Sequence, residues 1–207
     1  MSAVAITYPS ADLAVSAYFY VPGQGFRGTA EPAMLAVRSA GRIVPGLFIA
    51  ALIGLAIFRV ASRRPLAVIS DRAMIFLGLC FSVAPGLIVN LLLKSHSGRP
   101  RPLATADFGG PLPFTPAWSW WGGCTSNCSF VSGEASTAMM LIALVFVAPR
   151  RYRLPIASAV LIWTTVISMN RVAFGAHYLS DVVIACGLTL ASVAIFKALV
   201  LDQPHRA

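Results

Sequence analysis

Apolar residues fall in long, nearly unbroken runs, and the runs are separated by short clusters of Arg, Pro and Gly. Runs approaching the roughly 20 residues needed to cross hydrocarbon as a helix predict five crossings, at 44–61, 73–93, 134–149, 154–169 and 179–199. Two of these, 134–149 and 154–169, are short for a span. Before them lies a segment, 1–43, whose only apolar patch, LAVSAYFY, is broken by VPGQGF. That pattern predicts an interfacial or partly buried stretch with a turn. The expected organisation is therefore an N-terminal extramembrane segment, 1–43, followed by a membrane domain, 44–207. The predicted fold is all-α, a polytopic transmembrane helix bundle.

Composition strengthens this picture. Of 207 residues 57% are hydrophobic and 11% charged, with mean hydropathy +0.78, well outside the range of a soluble domain. The net charge of +9 raises the question of nucleic acid. Its 16 basic residues, however, are isolated or gathered between apolar runs, where topology and anionic headgroups account for them, and no nucleic-acid partner is expected. The bilayer itself is the expected partner. Met1 to Ser10 lacks a basic region followed by an apolar core, so no secretory signal is visible.

The connections differ in character. RVASRRPLAVISDR and PRRYR are short and Arg-rich, as cytoplasmic loops are, although the bias summed over all loops is weak. Residues 94–133 form a long loop rich in Pro, Gly and Trp, a kind that carries function. Two crossings separate that loop from the connection at 170–178, so both emerge on one side of the membrane. Ionisable residues that topology does not explain converge there, which makes this face a site hypothesis.

Three stretches supply its chemistry. In LKSHSGRPRP, Lys94 brings a mobile point charge and Arg101 a planar fork suited to phosphate oxygens, with prolines stiffening the chain between them. Taken alone the stretch is equally a basic cluster for headgroups. In FVSGEAS, Ser132 is a candidate N-cap and Gly133 permits close backbone approach, so the next helix offers free N–H groups to an anion. Glu134, in the first turn, has an ordinary explanation in the helix dipole. In NRVAFGAHYLSD, a helix starting near His177 would stack Asp181 beneath the imidazole, and Arg171 precedes the pair. Such a carboxylate can fix the ring tautomer for a histidine nucleophile.

Together these stretches resemble the type 2 phosphatidic acid phosphatase (PAP2) superfamily. Its signature is Lys, six residues, Arg-Pro; then Pro-Ser-Gly-His; then Ser-Arg, five residues, His, three residues, Asp. Lys94, Arg101 and Pro102 match the first part; Ser132 and Gly133 the middle; Arg171, His177 and Asp181 the last. The resemblance implies that His177 is a nucleophile oriented by Asp181, with Lys94, Arg101, Arg171 and the backbone at Ser132 and Gly133 holding phosphate. It implies no metal and no cofactor. The expected activity is hydrolysis of a membrane lipid phosphate, such as phosphatidate, phosphatidylglycerophosphate, polyprenyl diphosphate or a lipid A phosphate, in a bacterial inner membrane with the site facing the periplasm. A lipid phosphotransferase, and a non-catalytic phospholipid-binding protein with a degraded site, are the alternatives.

Departures from the signature are Val131 for Pro, Asn170 for Ser and Glu134 for the His that protonates the leaving group. Glu134 is expected to serve as general acid or base. Family members usually have six spans, and the missing one is expected before residue 1. Outside the motifs, Cys124 and Cys128 are a possible disulfide on an oxidising face. Trp118, Trp120 and Trp121 read as an interfacial belt.

Overall fold

A computed structural model of the protein describes residues 8–63, 66 and 69–204. Six helices make up the bundle. Helix α1 is Ser10–Phe19, followed by a two-residue hairpin pairing Tyr20–Val21 with Gly25–Phe26. Helices α2 (Pro32–Ser62), α3 (Asp71–His96), α5 (Arg150–Ala173) and α6 (Leu179–Leu201) are long and apolar enough to cross a membrane. Helix α4 (Gly133–Val147) is shorter but also apolar. The chain is thus an all-α polytopic bundle, with five membrane-directed helices in the order expected.

Boundaries follow local chemistry. Helix α2 opens with Pro32 at its first position, where a missing N–H costs nothing, and carries Pro45 within it. It therefore begins at Pro32 and not at 44, because Arg38 and Arg42 are accommodated on its first turns. The boundary expected at 43 falls inside this continuous helix, which corrects the division into 1–43 and 44–207. Ser70 caps α3 by accepting from Ala73 N at 3.2 Å. Further along, Pro85 cannot donate to the helical ladder, and Ser82–Leu93 is wound as a π-helix. The Asn90 amide donates to Pro85 O at 2.6 Å and reinforces that segment.

Two apolar cores hold the bundle. One joins Phe76, Leu77, Cys80, Phe81 and Ala84 of α3 to Met140, Leu141 and Ala143 of α4, Val160 of α5 and Val193 of α6. The other gathers Val89, Phe130, Val131, Ala135, Val172, Val182 and Ala185 beneath the long loop. Helix α2 lies outermost: only 6% of its apolar window is buried, as expected for a helix facing lipid.

Residues 97–132 form a folded cap. Cys124 N donates to Gly98 O at 2.9 Å and Ser129 N to Arg99 O at 2.9 Å, pinning the two ends of the loop together. Trp118 is half-buried with its ring 4.7 Å from Phe130, so it packs into the second core, whereas Trp121 is 80% exposed. The expectation of a three-Trp belt is corrected for Trp118. The turn between α5 and α6 is equally tight: Gly175 adopts φ +62°, and a Cβ there would lie 2.3 Å from the Phe26 ring.

Gly175→Ala should therefore destabilise the protein by about 2 kcal/mol or more, through both the left-handed backbone and the clash. A thermal midpoint in detergent that stays at the parent value would contradict this packing.

Candidate active site

Each of the three motif stretches ends on the same face of the bundle. Lys94 lies in the last turn of α3, Ser132 to Glu134 open α4, Arg171 lies in the last turn of α5, and His177 and Asp181 flank the start of α6. Ser132 caps α4, its Oγ accepting from Ala135 N at 3.3 Å, and its own N donates to Asp181 O at 3.3 Å. Gly133 lies so close to Asn90 that a Cβ would meet the amide oxygen at 2.6 Å, so only glycine allows α3 and α4 to approach here.

The imidazole of His177 is buried, and its Nδ1 lies 2.7 Å from Ser129 O. A carbonyl only accepts, so Nδ1 carries the proton and Nε2 the lone pair. Burial pushes the His177 pKa down to about 4, against an opposing pull from Asp181, and the ring is neutral near neutral pH. A neutral imidazole with a free Nε2 is chemically a nucleophile.

Asp181 does not stack on the imidazole as the spacing implied. Its Oδ2 is 3.8 Å from Nδ1, beyond hydrogen-bonding reach, because α6 starts at Leu179 and leaves His177 in the preceding turn. Instead Asp181 caps α6, accepting from Tyr178 N at 2.9 Å, and it accepts from Ser129 Oγ and from Arg99. Asp181 thus holds Ser129, whose carbonyl in turn holds the ring.

Arg99 was not singled out by the sequence motifs, yet it is the largest fully buried side chain. Its guanidinium donates to Asp181 Oδ1, Ser180 Oγ at 2.9 Å, Thr115 O at 2.8 Å and Asp12 Oδ2 at 2.7 Å. Its face lies 4.2 Å from the Tyr178 ring centroid. Asp12, from α1, also accepts from Ser180 N at 2.8 Å and from Ser180 Oγ. Asp12 did carry a signal, as a carboxylate heading an otherwise apolar helix. Arg99 was masked by the more recognisable Arg101 beside it.

Around the imidazole stand the other cations. Arg171 is buried, its Nε 3.3 Å from Glu134 Oε2, and both Nε and Nη1 lack a hydrogen-bond partner. Arg101 donates from Nε to Asn127 O at 3.1 Å and from Nη2 to Asn127 Oδ1 at 2.7 Å. Asn127 sits in the turn closed by a disulfide between Cys124 and Cys128, so that link sets where Arg101 stands. Burial, and then the like charge of Arg38, lower the Arg101 pKa from its ordinary value. The charges of Arg101, Arg171 and Glu134 all bear on Lys94. Among the described residues no cluster of His, Cys, Asp and Glu could hold a metal ion. The arrangement is suited to a phosphate group: mobile and planar cations, a helix N-terminus, and a neutral nitrogen nucleophile.

Comparison with known proteins agrees with this geometry. Residues 75–204 match the PAP2 superfamily, and the chain belongs to that family. It is 44% identical over 124 residues to a lipid A 4'-phosphatase of Rhizobium leguminosarum, an alignment covering 60% of this chain and 53% of that protein. A lipid A 4'-phosphatase of Francisella tularensis subsp. novicida is 36% identical over 118 residues, covering 56% of this chain and 53% of the relative. The chain spans about half the length of these curated relatives. Among solved structures, a transmembrane PAP2 type phosphatidylglycerolphosphate phosphatase from Bacillus subtilis matches with TM-score 0.64 at 18% identity, covering 99% of this chain and 94% of that one. That likeness is one of fold.

Asp12→Ala should destabilise the protein by about 2–4 kcal/mol, because it leaves Arg99 Nη2, Ser180 N and Ser180 Oγ without a buried acceptor, while Asp12→Asn should cost less by keeping one acceptor. Unfolding midpoints that rank the two variants equally would refute this role. For His177, the folded-state pKa of about 4 lies below the ordinary 6.5, so the unfolded chain binds more protons between these values. Stability should rise as pH increases through that window and fall as pH drops toward 4. A His177→Gln variant whose midpoint keeps the parent's full pH slope there would show that another group is responsible.

Proposed function

We propose that this protein is a phosphatase that removes a phosphate from a membrane lipid, with a lipid A-type phosphate as the leading substrate class. The observation that carries the reading is the buried His177, its Nδ1 proton committed to Ser129 O, with the charges of Lys94 and Arg171 bearing on it and Arg171 Nη1 without a hydrogen-bond partner. Relatives named as lipid A 4'-phosphatases support the substrate class.

In the first half-reaction the Nε2 lone pair attacks phosphorus, the P–O bond to the lipid breaks, and the leaving oxygen takes a proton from the Glu134 carboxyl. In the second, Glu134 takes a proton from water as its oxygen attacks phosphorus and the P–N bond breaks, releasing inorganic phosphate and neutral His177. Lys94, Arg101, Arg171 and the N–H groups at Ser132 and Gly133 hold the phosphate oxygens and the charge that grows on them. Glu134 Oε2 lies 3.3 Å from Arg171 Nε, beside the groups that hold the phosphate in this reading. Asp181 acts through Ser129, by positioning the ring.

The Cys124–Cys128 disulfide beside the site supports an oxidising compartment, hence a site on the periplasmic face of a bacterial inner membrane.

The test is inorganic phosphate release by purified protein from lipid A, phosphatidate, phosphatidylglycerophosphate and polyprenyl diphosphate. The parent should act on at least one of these with sensitivity to vanadate, and His177→Ala should lose activity at least about 1000-fold. Equal release by parent and His177→Ala would end the reading. Glu134→Gln should lower kcat more than it raises KM, since proton transfer matters in the transition state. Full activity of Glu134→Gln across the pH range would remove Glu134 from the chemistry.

A further inference from the structure

The first turns of α2 bring two more arginines to the site, neither within the segment that matches the family. Arg38 and Arg42 are four residues apart and so share a helix face. Their end of α2 is tied down next to Arg171: the Asn170 amide donates to Met34 O at 2.9 Å, and the Arg38 guanidinium lies 5.3 Å from the Phe174 ring centroid. Arg38 Nε is buried and lacks a hydrogen-bond partner. Arg42 lines a cavity of about 270 Å³ together with Asn90, Lys94, Gly133, Glu134 and Thr137. That cavity therefore opens directly beside the phosphate-holding groups, extending from Lys94 and Glu134 toward α2.

Charge balance gives this placement a consequence. Arg38, Arg42, Lys94, Arg99, Arg101 and Arg171 are set against Asp12, Glu134 and Asp181, an excess of three positive charges (six minus three). Arg99 with its two buried carboxylates is one negative charge in excess, so Arg38, Arg42, Lys94, Arg101 and Arg171 against Glu134 leave an excess of four positive charges (five minus one) on the other side of the cluster. A phosphate monoester dianion offsets only two. Crowded like charges cost energy unless a ligand relieves them, and the charges of Arg38, Arg101 and Arg42 all bear on Arg171.

We propose that Arg42 and Arg38 form a second anion subsite, which takes a further phosphate or carboxylate of the same lipid while the scissile phosphate sits against Lys94, Arg101 and Arg171. This rests on the phosphatase reading and sharpens it: the preferred substrate is a lipid with two anionic groups separated by roughly the span of the cavity. Arg42, exposed on the cavity wall, makes the direct contact. Arg38, half-buried against Phe174, adds its field and its free Nε edge. The same chemistry would also suit the headgroup of a neighbouring anionic lipid, so the experiment must separate the two sources.

Alkane bisphosphonates of increasing spacer length, each with its matched monophosphonate, should be titrated as inhibitors of a short-chain lipid monophosphate in non-ionic detergent. At one spacer length the bisphosphonate should bind about ten-fold tighter than the monophosphonate, as expected when one molecule engages two linked sites. In Arg42→Gln, and in Arg38→Gln/Arg42→Gln, that ratio should fall to within about two-fold, with the thermal midpoint unchanged. The idea is overturned if no spacer gives an advantage, or if the advantage survives in the double variant. It is equally overturned if added phosphatidylglycerol stimulates the parent but not the variants while spacer length has no effect, which assigns the arginines to neighbouring headgroups. Should the parent release phosphate from no lipid, the phosphatase reading fails by itself. Calorimetric titration of the same bisphosphonates then reads the subsite directly, by the same ratios.

Discussion

Arg99 is the interaction on which the rest depends. A guanidinium with no solvent exposure has been carried into the protein, and its charge is met by Asp12 on one side and Asp181 on the other. Removing either carboxylate leaves buried N–H donors of the guanidinium without their acceptor, so the three residues behave as one unit. They belong to α1, the long loop and α6, pieces far apart in the chain. The N-terminal helix is therefore part of the site's foundation and is not an appendage to the membrane domain.

The imidazole of His177 inherits its geometry from this unit. Arg99 O accepts from Ser129 N, Ser129 Oγ donates to Asp181, and Ser129 O accepts from His177 Nδ1. Every hydrogen-bonding group of Ser129 is thus spent on fixing one imidazole. The same residue follows the disulfide turn that holds Arg101 through Asn127, so one short stretch of loop orients both the ring and the Arg101 guanidinium. A buried ring whose proton is committed on one nitrogen needs no further partner to be neutral and directed.

Glu134 gives the site its individual character. It stands where the signature has a histidine, and its Oε2 lies 3.3 Å from Arg171 Nε. Arg42 of α2 lines the cavity that Lys94 and Glu134 also line. On the proposed second subsite, charge beyond the need of one phosphate would serve selectivity, since charge complementarity discriminates among anionic lipids.

Hydrophobic run length and the Lys94–Arg101 and Arg171–His177–Asp181 spacings were enough to read the helical bundle and its family. Those properties are local: a span is a length of apolar chain, and a motif is a set of residues a few positions apart. The start of α2 was misread because arginine, which ends an apolar run, does not end a helix. Only tertiary structure revealed Arg99 with Asp12, the carbonyl of Ser129 as the partner of His177, Arg42 beside Lys94 and Arg38 against Phe174. In each case the deciding contact joins segments distant in sequence, and what makes it decisive, burial of a charge or of a ring nitrogen, exists only once the chain has packed.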